Sequence, residues 1–324
     1  MNRKLNNQGM NASGVKVINF HEIQSHDLQN IENLLCYLKT KKNLVSSPDL
    51  LAYMKGELEL PSNSYVLTAD DGHVSFYQRL FPILVKHDAP CSLFVSPKMV
   101  SEEINYWFQE IVGFDPVNLR KIISERINVP VSFLETLWMH SIFKALSSKE
   151  TAEVIEAYYE RFRNERRKSF QNVNKEQLVK MHESGLVTVG AHTMTHPILL
   201  NEDRDSSTYE IQESVYGLKK ILESEIDFFA YPNGIPKLDY SEREVDILKK
   251  SGVKLAFSTR FSKVKKTDPI FEVPRGEITF GRIDFRPKLA LWDKWRKIND
   301  LRMGTRMIND RLKLLEKRKA AIQV

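Results

Sequence analysis

Short β-prone apolar runs alternate with helix-patterned stretches along most of this chain, and that alternation restricts it to a parallel sheet or barrel wrapped in helices. Residues 14–20 read as a first strand, and 28–38 as a helix with Leu28, Ile31, Leu34, Leu35 and Leu38 on one face. Residues 64–68, 91–95, 186–191, 228–231 and 253–258 read as further strands, with helical patterns between them around Phe76 to His87, Leu178, Ile211 to Leu222, and Val245 with Leu248. The rhythm breaks from about 100 to 173. That segment reads as a helical insertion, a lid, a substrate platform or a plain structural excursion, with Ser147 and Glu150 spaced as a capping box.

A chain of 324 residues has room for one barrel-sized domain with extensions, or for two small domains. Its two cysteines, Cys36 and Cys91, exclude a disulfide framework and a structural zinc knuckle and suit a reducing compartment. The polar start through Ser13 has no apolar leader pattern, and no run approaches the roughly 20 apolar residues of a spanning helix, so a cytoplasmic protein is expected. The net charge of +6 is concentrated at one end, where residues 282–324 carry 13 Lys/Arg against 5 Asp/Glu. Leu291, Trp295 and Ile298, then Ile308, Leu312 and Leu315, give this extension an amphipathic helical pattern broken at Gly304. It reads either as a solvated tail or as a peripheral contact with anionic membrane. No recognised module or aromatic stacking pattern accompanies the charge, so nucleic acid is excluded as a partner.

The chemistry lies where strands end. Asp70-Asp71-Gly72 closes one apolar run and Gly190-Ala191-His192-Thr193-Met194-Thr195-His196-Pro197 closes another. One carboxylate with two imidazoles is a common ligand set for a divalent metal that keeps an open coordination position. The second carboxylate is then placed to deprotonate an activated water. Adjacent carboxylates repel, so one holds a cation while the other acts as base. The alternatives are aspartates that cap a helix and histidines that merely support a loop. His196 precedes proline and belongs in a loop or turn. Sites in parallel barrels gather at the C-terminal strand ends, where both pieces point.

Thr-Ala-Asp-Asp-Gly, Gly-Ala-His-Thr-Met-Thr-His-Pro and Phe-Ala-Tyr-Pro-Asn-Gly, in that order, resemble the polysaccharide deacetylase family, the NodB-like homology domain of the carbohydrate esterase 4 group. The resemblance runs from about Val15 to Ile278, interrupted by the insertion. It implies a distorted (β/α) barrel with fewer strands than a regular eight-stranded one, which removes N-acetyl groups from amino sugars. By the same resemblance Asp70 is the base, and Asp71, His192 and His196 hold the metal, Zn2+ in most members. Tyr231, Pro232 and Asn233 are implied to meet the substrate, a backbone amide near Tyr231-Pro232 stabilising the oxyanion.

The family's late Leu-x-His is missing, but Asn19-Phe20-His21-Glu22-Ile23 is similar to the early histidine segment of poly-N-acetylglucosamine deacetylases, which nominates His21 as the acid. The local arginine of the commoner Arg-Pro-Pro-Tyr pattern is missing too, and Arg275 is the candidate to orient Asp70 from another loop. His73, His140 and His182 take no role, while Trp107 and Trp138 either stack on sugar or pack the insertion. The expectation is a catalytic domain over 1–281 with its insertion and a basic extension over 282–324, acting on an acetylated amino sugar, nucleotide-, lipid- or oligosaccharide-linked, in bacterial surface-glycan assembly. A deformylase or other amidohydrolase, and a non-catalytic glycan-binding member, are the alternatives.

Overall fold

In a computed structural model, residues 14–278, 284–292 and 305–322 are described. The predicted strands form β1 (Lys16–Phe20), β3 (Ser64–Ala69), β4 (Cys91–Val95), β5 (Val187–Ala191), β6 (Phe228–Ala230) and β7 (Leu255–Phe257), joined by two short strands, β2 (Asn43–Leu44) and β8 (Gly276–Glu277). Every ladder is parallel, in the order β7-β6-β5-β4-β3-β1-β8. β1 runs along one edge of β3, while β2 pairs with its beginning and β4 with its end. The strands are buried on both faces, which explains their continuous apolar runs.

The sheet curls until its two edges share one segment. The Val273 amide donates to the Ala256 carbonyl (2.9 Å) and Ser258 donates to Val273 (2.9 Å), so this stretch joins β7. Three residues on, Gly276 and Glu277 pair with Ile18 and Asn19 of β1. The result is the distorted (β/α) barrel expected from the sequence. Arg275 sits on the closing segment, between its two attachments.

Helices Leu28–Lys41, Lys175–Glu183, Arg204–Leu222 and Glu242–Lys250 pack outside the strands through the residues that give them apolar stripes. Between β4 and β5 the insertion is helical over Pro97–Glu102, Trp107–Glu110, Pro116–Ile127, Val131–Leu134, Met139–Phe143 and Ser148–Arg161. It builds its own core from Leu119, Ile122, Ile123, Leu134, Ile142, Phe143 and Val154, and Ser147 with Glu150 forms the capping box. Residues 162–174 are not helical. They run beside the Asp70-Asp71 turn, where Val74 donates to Gln171 (2.8 Å) and Val173 to Gly72 (2.8 Å).

The C-terminal helix Thr305–Ile322 docks on the insertion, with Leu315 of the expected stripe packed against the insertion core. Leu314 is buried in the insertion core while Leu312 stays exposed. Asp310 and Arg311 are buried beside it: Asp310 accepts from the Trp138 amide (3.2 Å), and Arg311 pairs with Asp239 and donates to the Leu238 carbonyl (2.7 Å). Trp295 and Ile298 lie outside the described residues, and no helix among these is long and apolar enough to cross a membrane.

Gly190 tests this packing. A methyl group on its Cα would lie 2.4 Å from the Phe94 ring and 2.8 Å from the Phe228 carbonyl, both fixed in adjacent strands. Gly190→Ala is therefore expected to lower the unfolding free energy by about 1–3 kcal/mol in urea titration. An unchanged midpoint would mean that the strands around β5 are looser than described.

Candidate active site

Taking the Asp70 carboxylate out of water would favour its neutral form unless a charge compensates. Arg275 supplies that charge from the closing segment. Its two terminal nitrogens each donate to one oxygen of Asp70, both at 2.7 Å, in a buried bidentate pair. Asn19, at the end of β1, donates to Oδ2 of Asp70 (3.0 Å) while its own carbonyl accepts from Arg275 (2.9 Å) and Thr68 (2.7 Å). Burial works to raise the Asp70 pKa, but the Arg275 charge, with lesser help from His192 and His21, holds it below the ordinary carboxylate range.

Asp71 turns away from its neighbour because its backbone is left-handed, with φ 69°. Its Oδ1 lies 3.5 Å from Nε2 of His192 and 3.4 Å from Nε2 of His196. These separations are close to the ~3.3 Å edge of a tetrahedron of ligands around one zinc ion. Oδ1 of Asp71 is buried without a hydrogen-bond donor, as an oxygen awaiting a cation would be. Nδ1 of His192 donates to the Ala230 carbonyl (2.6 Å), which fixes the tautomer and leaves the Nε2 lone pair facing Asp71. Burial pulls His196 down to about 4, keeping it a neutral imidazole. The three side chains fit a divalent metal.

Two local devices hold this cluster. Gly72, at φ 67°, lies where a Cβ would come 2.6 Å from Val95, so the turn after Asp71 has no room for a side chain. The histidine loop contains two further left-handed residues, Thr193 (φ 63°) and His196 (φ 60°). The buried carboxylate of Glu210 holds it from the Arg204–Leu222 helix, accepting from the amides of Met194 (2.8 Å) and Thr195 (2.9 Å) and from the Thr195 hydroxyl (2.6 Å). The insertion walls the other side: the Tyr106 and Phe108 rings stand edge-on to His196, and Trp107 donates to its carbonyl (3.3 Å).

A model of the polysaccharide deacetylase family matches residues 58–256. The chain belongs to the polysaccharide deacetylase family. It is accordingly a hydrolase of the N-acetyl amide bonds of sugars. No curated protein matches it in sequence. Among solved structures it is similar to IcaB from Ammonifex degensii, with 22% identity and TM-score 0.58 over 86% of this chain and 96% of that one. The Streptococcus pyogenes deacetylase PplD in complex with acetate shares 17% identity and TM-score 0.56, over 83% and 93%. The deacetylase domain of BpsB from Bordetella bronchiseptica shares 14% and 0.54, over 82% and 95%.

In this deacetylase a cleft of about 490 Å³ opens beside Asp70, and Asn19, His21, Asn233, Arg275 and Glu277 line it. His21 lies at its mouth, with Nε2 3.7 Å from Asp70 and Nδ1 3.7 Å from Glu277. Burial alone would lower its pKa, but Glu277, then Asp70 and Asp71, push it up to about 9. The ring is 44% exposed, so solvent screens part of that pull. The expectation for Tyr231 is corrected. Its ring is fully buried and stacked on Tyr240, and its amide donates to the Phe257 carbonyl (3.2 Å), so neither meets substrate. Pro232 is buried as well, leaving Asn233 as the member of that trio on the cleft. Sequence reasoning missed Glu210 and Glu277. Each is one acidic residue among many, and the loop or ring it holds is distant in the chain.

Arg275→Met should reduce stability by about 3–5 kcal/mol at neutral pH, because it leaves the Asp70 carboxylate buried and unpaired. In the parent the lowered Asp70 pKa adds stability that is present above the unfolded pKa and is lost as pH falls. In the variant burial raises that pKa, so acid relieves the strain. The gap between the two in chemical denaturation should therefore close as pH falls towards 4, and a pH-independent gap would contradict the assignment. Glu210→Ala should weaken the affinity for a divalent metal about 10–100-fold in chelator competition, and retention of full affinity would show the loop to be self-supporting.

Proposed function

We propose that this chain removes the N-acetyl group from an amino sugar of a bacterial surface glycan, with a divalent cation held by Asp71, His192 and His196. The observation that carries the reading is the convergence of those three ligand atoms next to a second carboxylate kept ionised by Arg275. One aspartate and two histidines suit zinc and leave a position for substrate or water. When bound there, the cation supplies Lewis-acid polarisation of the acetamide carbonyl and acidifies the attacking water. The bacterial relatives described above support a bacterial glycan, and the free thiols of Cys36 and Cys91 support a reducing compartment.

Asp70 is the base. Arg275 holds both of its oxygens, so the carboxylate is ionised and oriented before substrate arrives. It takes a proton from water as the water oxygen bonds to the acetamide carbon. The carbon–nitrogen bond then breaks, acetate departs, and the sugar nitrogen takes a proton from His21 to leave as a free amine. His21 suits that step because Glu277 holds its other nitrogen and because the surrounding carboxylates favour its charged form.

The test is zinc content and acetate release, scored against formate release, for the parent beside Asp70→Asn and His192→Ala. Asp70→Asn should keep its zinc and lose about 10²–10⁴-fold in kcat, while His192→Ala should lose both metal and turnover. A fully active Asp70→Asn would remove it as the base, and formate instead of acetate would make the enzyme a deformylase. The acid must be protonated, so kcat/KM should decline on the alkaline side between the ordinary histidine value of 6.5 and about 9. His21→Gln should lower the plateau and flatten that limb, and an unaltered limb would assign the proton elsewhere.

A further inference from the structure

The cleft has an end that the deacetylation chemistry does not use. Lys144, which follows the insertion helix Met139–Phe143, lines it together with Thr305, Met307, Ile308 and Arg311 of the C-terminal helix. The other charges of the lining have partners. Arg275 is held by Asp70, Arg311 by Asp239 and the Leu238 carbonyl, and Glu277 faces His21. Lys144 is half-buried, and among the described residues its Nζ meets no carboxylate within 4.0 Å; its contact is the Met307 thioether at 3.4 Å. A thioether is a weak acceptor, and the Asp239 carboxylate that attracts Lys144 from farther away is already paired with Arg311, so no carboxylate among the described residues contacts the ammonium directly. The backbone that carries it is held in place, since the Lys144 carbonyl accepts from Asn201 (2.9 Å), a few residues after the histidine loop. Burial lowers the Lys144 pKa while Asp239 opposes the shift, and the Lys144 charge is felt at His196.

We propose that the substrate carries an anionic substituent, phosphoryl or carboxyl, which Lys144 binds beside the reacting acetamide. The inference rests on the reading of this cleft as the deacetylation site. It separates substrates with a charged group near the acetylated sugar from neutral homopolymers, which offer only hydroxyls. Met307 and Ile308 close the apolar side of the subsite, so the C-terminal helix takes part in choosing the substrate.

The zinc-loaded enzyme should be assayed for acetate release from N-acetylglucosamine 1-phosphate, UDP-N-acetylglucosamine, N-acetylmuramic acid and neutral chitotetraose, as the parent, Lys144→Met and Lys144→Arg. The parent should prefer an anionic probe, and the preference over chitotetraose should fall about tenfold or more in Lys144→Met, through KM, with partial recovery in Lys144→Arg. The two phosphorylated probes against N-acetylmuramic acid decide between phosphoryl and carboxyl. Equal use of chitotetraose by the parent, or equal losses on charged and neutral probes, would overturn the proposal, the latter by showing a structural lysine. Should the parent hydrolyse none of them, the deacetylase reading fails separately, and calorimetry with pyrophosphate and glucuronate decides the subsite. Binding about tenfold tighter to the parent than to Lys144→Met supports it, and equal binding refutes it.

Discussion

Two adjacent carboxylates are withdrawn from water at the end of β3, and each needs its own compensating charge. The fold meets this demand from opposite directions. Asp70 faces the barrel-closing segment and is matched by Arg275, 205 residues away. Asp71, turned by its left-handed backbone, faces the end of β5 and is matched by two imidazoles and the cation they would share. Closing the barrel and building the site are therefore the same event, because the segment that joins β7 to β1 also carries the guanidinium.

The surroundings make these contacts rigid. Asn19 bonds to both members of the Asp70–Arg275 pair, and Glu210 ties down the loop between the histidines. The insertion sets three aromatic residues, Tyr106 to Phe108, against His196. The C-terminal helix then covers the far end of the cleft, held by the buried Arg311–Asp239 pair and by Leu314. A surface ion pair would contribute little there, whereas one this deeply buried fixes the helix only because both partners are satisfied.

Much of the frame was legible. The longer strands announce themselves as apolar β-prone runs, and β4 falls on the residues read from the chain. β2 and β8, with two residues each, carry too little pattern to be seen, so the way the barrel closes was not legible. Asp70 and His21 were nominated by family resemblance and Arg275 as the stand-in for the family's missing local arginine; in the structure Asp70 lies 3.7 Å from His21 and pairs with Arg275. Tyr231 misled because its motif lies at a strand end, while its ring turns inward to Tyr240. In the C-terminal helix the apolar stripe ran through Ile308, Leu312 and Leu315; Leu315 packs on the insertion but Leu312 is exposed, and the buried face runs through Asp310, Arg311 and Leu314, where specific partners such as Asp239 are met.

By itself the sequence determined the class of fold, the candidate metal-ligand set and the order of its parts along the chain, since periodicity and residue type are local properties. Tertiary structure decided which charge answers which. It brought Arg275 to Asp70, Glu210 to the histidine loop and Lys144 to the cleft, since such pairings depend on where a curled sheet brings remote segments together, and one arginine or glutamate looks like any other until it has a neighbour.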